Sequence, residues 1–269
     1  MTYMGSKRKY AKYIVPILNH YIKDNNITMF IDCFCGGANL VDKIECEQLV
    51  ANDLSPTLIA LHKQAQQDFS KIPIDGSREY WDKAYAEWKK IKKSMDKNIA
   101  FDLEMPLYEI GAIEWYASFS NGGFPRGYAK NSETRNYYQE GYRNHKMQAA
   151  TENYKKIIFW QGDYRELTSK LFEKKDENIV LYCDSPYKGT KPYAIDNKFD
   201  FEIYYNWLRE TSKKYPIFIS EQSLPEDFTS IWEKDDAKRT CGKDNHFKAY
   251  ERLYFIDNRE ENNGKKITI

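Results

Sequence analysis

Apolar and polar positions follow two alternating patterns along this chain. Short runs of β-branched and aromatic residues predict strands, because such side chains suit a pleated, buried surface. Five of these runs end in acidic or turn residues: TMFIDCF, EQLVAND, KKIIFWQGD, ENIVLYCD and YPIFISE. A sixth run, AYERLYFID, shows some alternation of apolar and polar residues and predicts a late strand.

Helices are predicted between several of these strands. Apolar residues from Trp81 to Met95 recur at helical spacing, and Pro56 suits the first turn of a helix after the second strand. Asp200 is a candidate N-cap for the segment FEIYYNWLRETS. Alternating strands and helices are typical of an α/β fold, so we predict a doubly wound, mostly parallel sheet with helices on both faces.

Polar residues collect at one edge of the predicted sheet. Asp53, Asp163 and Asp184 each follow an apolar strand, and a glycine turn follows Phe34. The carboxyl ends of parallel strands share one edge, where ligands bind in open α/β sheets. One aspartate there is common as a turn residue or helix cap, whereas three on one edge predict a ligand site.

The segment between Leu58 and Ala150 interrupts the strand–helix alternation. It contains helical patterns without an obvious strand, and its part SFSNGGFPRGYAKNSETRNYYQEGYRN is rich in glycine, asparagine, arginine and tyrosine. We therefore predict an inserted, mainly helical subdomain at 58–150. The two flanking parts of the chain, 1–57 and 151–269, would form the sheet domain.

Composition limits the class of protein without selecting a partner. The net charge is +1, while 16% of the residues are aromatic, so the rings serve either nucleic-acid stacking or an ordinary core. The five cysteines and four histidines are scattered without zinc-ligand spacing. No apolar run approaches the roughly 20 residues of a membrane helix. We expect a soluble, cytoplasmic protein without a metal site.

The turn after the first strand suits a nucleoside ligand. In DCFCGGAN, a glycine pair lets the backbone approach a ligand closely, although the spacing is not that of a dinucleotide-binding loop. Asp53 ends the next strand, where a carboxylate can accept both hydroxyls of a ribose. S-adenosylmethionine offers such a ribose without a phosphate. A tight turn with a helix cap is the alternative interpretation.

The segment LYCDSPYKGT suits chemistry on an aromatic amine such as that of adenine. The Asp184 carboxylate and the Ser185 carbonyl could accept the two amine hydrogens and draw the nitrogen toward tetrahedral geometry. Pro186 restricts Ser185 to extended conformations and so directs that carbonyl. The Tyr187 ring offers a stacking surface, worth about 1–3 kcal/mol per base. A plain turn is the alternative interpretation.

Together these motifs resemble the Dam-like N6-adenine DNA methyltransferases of phages and restriction–modification systems. The similar segments, in chain order, are YMGSKRKYAKYI, FCGGAN, NDLSP, QGDY, CDSPYKGT, FISEQSLPEDF and AYERLYF. The resemblance implies a Rossmann-like fold, S-adenosylmethionine as methyl donor, and an adenine flipped out of double-stranded DNA as substrate. It also implies that 1–57 and 151–269 are catalytic and that 58–150 recognises the target. One departure is Ser185, where the family's Asp-Pro-Pro-Tyr motif has proline.

The resemblance implies three groups of functional residues. The catalytic residues would be Asp184, Ser185, Pro186 and Tyr187. The cofactor would contact Tyr3, Met4, Gly5, Lys7, Asp32, Phe34, Gly36, Asp53, Leu54, Asp163, Tyr164 and Asp184. DNA would contact Lys9, Asn121, Arg126, Tyr128, Arg135, Tyr137 and Tyr138. A cognate restriction endonuclease and a monomeric or weakly dimeric state are consistent with this family.

Two alternatives stay open at the level of sequence. A related turn methylates cytosine amino groups, glutamine amides or RNA adenines, and a DNA-binding protein can keep the fold without catalysis. The motif order and the basic, aromatic insert favour adenine in DNA, while Asp53, Asp184 and Tyr187 favour catalysis. The lysine run at 89–93 is either a solvated helix face or a contact to phosphates.

Overall fold

Strands and helices alternate along most of the chain. The computed structural model describes residues 1–97, 99–131, 135–171, 178–187, 199–235 and 250–259. The strands are β1 (Met29–Asp32), β2 (Gln48–Asp53), β3 (Ile158–Gln161), β4 (Ile179–Cys183), β5 (Ile217–Glu221), β6 (Thr229–Asp235) and β7 (Tyr250–Ile256). The helices are α1 (Ala11–Asp24), α2 (Pro56–Gln67), α3 (Arg78–Lys97), α4 (Leu107–Tyr116), α5 (Tyr137–Ala149), α6 (Glu152–Lys156), α7 (Tyr164–Leu171) and α8 (Phe201–Ser212).

The strands form one mixed sheet in the order β3-β2-β1-β4-β5-β7-β6. Strands β1 to β5 run parallel, whereas β7 is antiparallel to β5 and β6 is antiparallel to β7. The strand order reverses between β1 and β4, and ligands bind outside the carboxyl ends of strands at such a reversal. The predicted site residues after β1 and β4 therefore flank this crevice.

Hydrophobic cores cover both faces of the sheet. Successive strand residues point to opposite faces, so Phe30 and Tyr182 enter one core while Ile31 and Leu181 enter the other. Helices α1 to α5 contribute to the first core, and α7 and α8 contribute to the second. The predicted α/β fold, doubly wound and mostly parallel, is confirmed.

The predicted helix starts are also confirmed. The Ser55 hydroxyl accepts from the Leu58 amide at the start of α2, with Pro56 in the first turn. The Asp200 carboxylate accepts from the Glu202 and Ile203 amides at the start of α8. These caps satisfy backbone donors that a helix leaves unpaired in its first turn.

Two elements were not predicted. Most residues of β6 are exposed or partly exposed at the sheet edge, so this strand carries no apolar run. Helix α1 precedes the first strand and buries Ile14, Leu18, Tyr21 and Ile22 at helical spacing. Both elements contribute to a surface described below.

The described residues of 58–150 form helices and short turns, and their buried side chains share a core with the sheet. Leu58, Trp81 and Ile113 belong to the same hydrophobic cluster as Phe30 of the sheet. The division of the chain into a catalytic domain and an inserted recognition domain stays a prediction.

The structure describes four of the five cysteines and three of the four histidines. Cys33, Cys35 and Cys183 are buried free thiols. Cys241 and His246 lie outside the described residues, as does the KGT part of CDSPYKGT. Within the described residues, no helix is long and apolar enough to cross a membrane.

Candidate active site

The loop after β1 adopts a conformation that favours glycine. Gly36 has a φ of +49°, and its amide donates a hydrogen bond of 3.0 Å to Asp53 Oδ2. The Tyr3 ring lies so close that a Cβ atom on Gly36 would be 2.8 Å from Tyr3 Cε1. The structure thus brings together three residues that the sequence assigns to the cofactor.

Asp53 is fixed by backbone amides and keeps capacity for a ligand. Its Oδ1 accepts from the Ser55 amide at 2.9 Å. Burial raises the pKa of the Asp53 carboxyl, and the amides of Ser55 and Gly36 oppose that shift. A carboxylate has about four lone-pair sites, so these two amides leave room for the hydroxyls of a ribose.

Asn52 joins the loops around this site, although the sequence patterns did not single it out. Its side-chain nitrogen donates to the carbonyls of Cys33 at 2.9 Å and Gly162 at 3.1 Å. Its own carbonyl accepts from the Cys35 amide at 2.7 Å. Asn52 therefore connects the loops after β1 and β3. Its Oδ1 is buried and has no partner among the described residues, which makes it an acceptor for water or a ligand.

Asp184 directly follows β4 and pairs with a buried lysine. Lys7 Nζ lies 2.6 Å from Asp184 Oδ1, and the lysine side chain is only 5% exposed. Lys7 belongs to a short 3-10 turn before α1. A charge at this depth requires a partner, so the pair holds the Asp184 carboxylate opposite a fixed cation.

Glu251 on β7 contacts this ion pair, and we call Lys7, Asp184, Tyr187 and Glu251 the candidate catalytic cluster. It accepts from the Tyr187 hydroxyl at 2.7 Å and lies 3.4 Å from Lys7 Nζ. Lys7 Nζ is also 4.5 Å from the centroid of the Tyr187 ring, within range of a cation–π interaction. Glu251 thus contacts both Lys7 and Tyr187. Sequence patterns did not single out Glu251, because a glutamate in an alternating strand usually faces solvent.

Buried carboxyl groups outnumber lysines in the described part of this cluster. Asp32 and Glu221, each 2% exposed, lie within electrostatic range of Asp184. Burial raises the pKa of Glu221 to about 8 and that of Asp32 well above its ordinary value, and the charge of Asp184 adds to both shifts. A pKa of about 8 keeps the Glu221 carboxyl largely protonated at pH 7, and a cationic ligand beside these two carboxyls would favour their ionised forms.

Aromatic rings line the other side of the glycine loop. The Phe34 ring centroid lies 5.1 Å from that of Tyr164 and 5.8 Å from that of Tyr204. Asp163 precedes Tyr164, and its carboxylate accepts from Arg165 Nε at 2.8 Å. The roles of Asp163 and Tyr164 toward an adenine ring stay predictions.

The N-terminal segment lies between the glycine loop, which Tyr3 contacts, and the loop at 118–128. The Met4 amide donates to the Asn121 carbonyl at 3.2 Å. Gly5 is exposed with a φ of +81°, and Leu54 is partly exposed directly after β2. Contacts of Met4, Gly5 and Leu54 with a cofactor stay predictions.

Some of the predicted DNA contacts present exposed side chains. Lys9 and Arg126 are exposed, and exposed Arg135 lies over the Tyr137 ring at 4.1 Å. Phe119, which the sequence did not single out, is 53% exposed in the same loop as Arg126. This loop therefore presents an exposed cation and an exposed aromatic ring.

Other predicted DNA contacts have structural partners. Asn121 is 2% exposed, and its side-chain amide donates to the Trp115 carbonyl at 2.8 Å. Tyr138 is 3% exposed, and the Tyr128 hydroxyl donates to the Gly76 carbonyl. Burial gives no support to a direct DNA contact by Asn121 or Tyr138, which stays a prediction.

A chain of hydrogen bonds lies behind the glycine loop. His62 Nε2 lies 2.8 Å from the Gly36 carbonyl, and His62 Nδ1 lies 2.6 Å from the Tyr154 hydroxyl. His145 Nε2 lies 2.7 Å from the same hydroxyl, and His145 Nδ1 is hydrogen-bonded to the Tyr116 hydroxyl. All four side chains are buried. Burial lowers the pKa of His62 to about 3 and that of His145 well below its ordinary value, so both rings are neutral at pH 7.

The direction of this chain follows from the carbonyl at its end. A carbonyl only accepts, so His62 carries its proton on Nε2 and accepts from Tyr154 on Nδ1. The Tyr154 oxygen must then accept from His145 Nε2, and His145 Nδ1 must accept from Tyr116. Each N–H or O–H donor in this chain of hydrogen bonds therefore points toward the glycine loop.

The described residues include no group of three or more histidine, cysteine or acidic side chains that could hold a metal ion.

The chain is similar in sequence to known proteins. Modification methylase StsI from Streptococcus sanguinis is 20% identical over 278 aligned positions, which cover 97% of this chain and 40% of that protein. The chain thus spans less than half the length of that relative.

Solved structures with a similar fold include the rRNA methyltransferase aviRa from Streptomyces viridochromogenes. The structure at 1.5 Å has 11% identity, a TM-score of 0.43 and coverage of 95% of this chain and 86% of that one. The structure at 2.4 Å has 11% identity, a TM-score of 0.42 and coverage of 93% and 84%.

The profile of one protein family matches residues 3–221, which include the glycine loop, Asp53 and the catalytic turn. That match covers well over half of the chain, so the chain belongs to the D12 class N6 adenine-specific DNA methyltransferase family.

Proposed function

We propose that this chain transfers a methyl group from S-adenosylmethionine to the N6 amino group of adenine in DNA. The observation that carries the proposal is the Asp184–Lys7 ion pair at the carboxyl end of β4, beside the glycine loop of Gly36. In a member of this family, that arrangement places an ionised acceptor next to the expected cofactor site.

The residues after β1 and β2 fit S-adenosylmethionine. Gly36 allows the glycine loop to pack against Tyr3 and to hold Asp53 through its amide, and Asp53 keeps lone pairs for ribose hydroxyls. The positive sulfonium and ammonium groups would favour the ionised forms of the buried Asp32 and Glu221 carboxyls, which would then complement their charge. When bound, this cofactor supplies a methyl group that is activated by its sulfonium.

Asp184 and Ser185 would act on the amine of the base. The Asp184 carboxylate accepts one amine hydrogen, and the Ser185 carbonyl accepts the other, so the nitrogen lone pair is released from the ring and points at the methyl group. Positive charge grows on the nitrogen as the N–C bond forms, and the Asp184 carboxylate stabilises it. The bond between the methyl carbon and the sulfonium sulfur breaks in the same step, its electron pair stays on sulfur, and the spare proton of the nitrogen passes to water. Tyr187 provides the face against which the base stacks.

The DNA must present an unpaired base to this site. An adenine inside a duplex is inaccessible, so we propose base flipping at a cost of a few kcal/mol. The helices and loops of 58–150 would recognise the target, with Arg126 and Arg135 as the exposed candidates, and 1–57 with 151–269 would hold the cofactor and the catalytic turn.

The biological setting is part of the same proposal. A cognate restriction endonuclease, a monomeric or weakly dimeric state, and action in the cytoplasm of a bacterium or a phage-infected cell are predictions from the family resemblance.

Methyl transfer from labelled S-adenosylmethionine tests this function. Plasmid DNA of mixed sequence, RNA and protein are offered separately, and the modified DNA is digested and analysed by mass spectrometry. We expect N6-methyladenine in DNA alone. N4-methylcytosine, or label only in RNA or protein, would identify one of the related activities instead. DNA binding without transfer of label would indicate a protein that has lost catalysis.

A further inference from the structure

A basic, aromatic surface lies where α1 meets the edge strand β6. We call it the α1–β6 patch: Lys9, Lys12, Tyr13, Trp232 and Lys234. The Tyr13 and Trp232 rings stack with centroids 5.6 Å apart and an interplanar angle of 27°. Lys234 Nζ lies 3.9 Å from the Tyr13 centroid, and Lys12 Nζ lies 5.0 Å from it. Two remote segments of the chain thus build one surface.

The patch directly borders the candidate catalytic cluster. Lys234 on β6 pairs in register with Glu251 on β7, and residues opposite each other in an antiparallel pair share a face. Glu251 contacts Lys7, which begins the short turn that ends at Lys9. The patch therefore adjoins the candidate catalytic cluster on two sides, at β6 and at the turn before α1.

The lysines of this patch form a positive surface. Among the described residues, neither Lys12 nor Lys234 forms an ion pair, and Lys9 and Lys12 are exposed. Their neighbours Glu233 and Asp235 fall on the opposite face of β6 because side chains alternate along a strand. Hydrogen bonding to Lys234, followed by that to Lys12, lowers the pKa of the Tyr13 phenol, as expected where cations gather.

We infer that the α1–β6 patch binds the phosphate groups of DNA beside the flipped base. The inference rests on the proposed function, because a base held at Asp184 and Tyr187 forces the adjoining backbone over the surface next to them. Lys12 and Lys234 each keep ammonium donors beyond the ring that they cover, and such donors neutralise phosphates without reading sequence. The recognition of this DNA is thereby divided between the patch and the helical segment 58–150.

The salt dependence of DNA binding tests this inference. The variant Lys12→Gln/Lys234→Gln is compared with wild type by fluorescence anisotropy on a labelled 30-base-pair duplex of mixed sequence. If both lysines bind phosphates, the slope of log K against log salt becomes shallower by about 1.8, and binding weakens roughly 60-fold at 0.1 M salt if the affinities coincide at 1 M.

A matched control removes the same charge elsewhere. Lys155 is 50% exposed and precedes β3, and Lys213 is 58% exposed and precedes β5. Both lysines thus lie near the amino ends of the parallel strands, whereas the candidate site lies at the carboxyl ends. Lys155→Gln/Lys213→Gln should keep the wild-type slope. The Lys12→Gln/Lys234→Gln variant should also keep the wild-type sequence profile of methylation, because phosphate contacts do not read bases.

The possible results separate this inference from the proposed function. An unchanged slope in Lys12→Gln/Lys234→Gln, with a wild type that methylates DNA, overturns the inference alone. Lower thermal stability with an unchanged slope also overturns it, since the cluster would then only hold β6 on α1. A shallower slope with a wild type that transfers no methyl group supports the patch and overturns the proposed catalysis.

Discussion

The Ser185 hydroxyl is buried in the predicted catalytic turn. The residue is 3% exposed, and among the described residues its Oγ has no partner of normal geometry, although the Tyr204 phenol lies beside it. Leaving such a group unpaired costs about 1–3 kcal/mol. Ser185→Ala should therefore be no less stable than wild type in urea unfolding, and its single-turnover rate on duplex DNA should change little. A hundredfold loss of rate would show that the side chain, and not the carbonyl, acts on the base.

The proline found at this position in the family offers a second variant. Ser185→Pro keeps the carbonyl and fixes φ near −65°. If the native backbone already has this angle, the variant should keep its activity and gain about 0.4–1 kcal/mol in unfolding free energy. A loss of activity with intact folding would mean that the turn requires the serine backbone.

Asp184 is the residue on which the mechanism depends. Asp184→Asn keeps the size of the side chain but removes the charge that faces Lys7 and the amine. We expect the single-turnover rate to fall by about a hundredfold or more, because stabilisation of developing charge has that magnitude. Duplex binding should persist. Asp227→Asn, which removes a carboxylate paired with Arg209 on the surface, is the control and should retain full activity. An Asp184→Asn rate within tenfold of wild type would contradict the mechanism.

Glu251 should act through Lys7 and Tyr187. Glu251→Gln keeps an acceptor for the Tyr187 hydroxyl but removes the charge 3.4 Å from Lys7. We expect a rate about tenfold lower, equivalent to about 1.4 kcal/mol in the barrier, with cofactor affinity by calorimetry near wild type. Glu233→Gln on the neighbouring strand should be silent.

The effects of Glu251→Ala and Tyr187→Phe on the rate should not add, since each removes the one hydrogen bond between the two residues. Additive effects would mean that the two residues act independently. If Glu251→Ala does not fold, Tyr187→Phe alone removes the same bond and should lower the rate.

Residue roles were predictable only where they follow from local pattern. Asp53 and Asp184 were found because each ends an apolar run, and the chain direction then fixes its place at the sheet edge. Glu251 and Asn52 were missed, because their importance arises from pairing between distant segments. Lys7 was assigned to the cofactor, and only the packing of its turn against β4 reveals the contact with Asp184.

Among the elements, strands buried on both faces were the most predictable. β1, β4 and β5 are fully buried, and a strand covered on both faces reads as a continuous apolar run. The edge strand β6 is defined by its pairing with β7 and not by its own composition. No local rule could therefore predict it.

The helices α2, α4, α5 and α6 meet in the chain of hydrogen bonds from Tyr116 to Gly36, and this chain should depend on pH. The folded pKa of His62 is about 3, below its unfolded value of about 6.5, so the unfolded state binds more protons between these values. Stability contributed by neutral His62 is thus complete above about pH 6.5 and is lost as the pH falls toward 3, by about 1.4 kcal/mol per pH unit.

Unfolding free energies measured from pH 7 to pH 4 check this expectation. In His62→Gln, the unfolding free energy should change less steeply with pH, by about 1.4 kcal/mol per pH unit. His20→Gln, at the exposed end of α1, should leave this slope unchanged. Nuclear magnetic resonance should assign the Nε2-protonated form to both His62 and His145. An Nδ1-protonated His62 would contradict the deduced direction of the chain.

The molecule as a whole holds its loop of candidate DNA contacts on a rigid support. Phe124 is 2% exposed and packs against Trp81 at 5.3 Å and Trp88 at 5.6 Å, both on α3. Gly123 and Gly127 flank the short turn that carries Arg126, with φ values of +78° and +79°. The position of Arg126 is therefore fixed relative to α3. The sequence predicted a polar-aromatic loop but could not show that Phe124 anchors it.

This arrangement separates two kinds of DNA contact. Arg126 is exposed at the tip of the loop, where its planar guanidinium can reach a guanine edge. Lys89 and Lys92 lie over the rings of Tyr85 and Trp88, at 4.4 Å and 5.8 Å, on the α3 surface. Ammonium groups on a helix surface meet phosphates and carry no base preference.

Arg126→Ala should relax the methylation preference at one base pair, with a loss of discrimination of about 1–3 kcal/mol. Lys89→Gln/Lys92→Gln should instead weaken binding to all sequences and make the salt dependence shallower by about 0.9 per lost phosphate contact. Sequencing of methylated sites in a random DNA library measures the first effect, and anisotropy titrations at several salt concentrations measure the second. Pro125→Ala, next to Arg126 in the same turn, controls for disturbance of the loop. Identical site preferences for Arg126→Ala and wild type would remove Arg126 from base recognition and would leave the loop with a structural or phosphate-binding role.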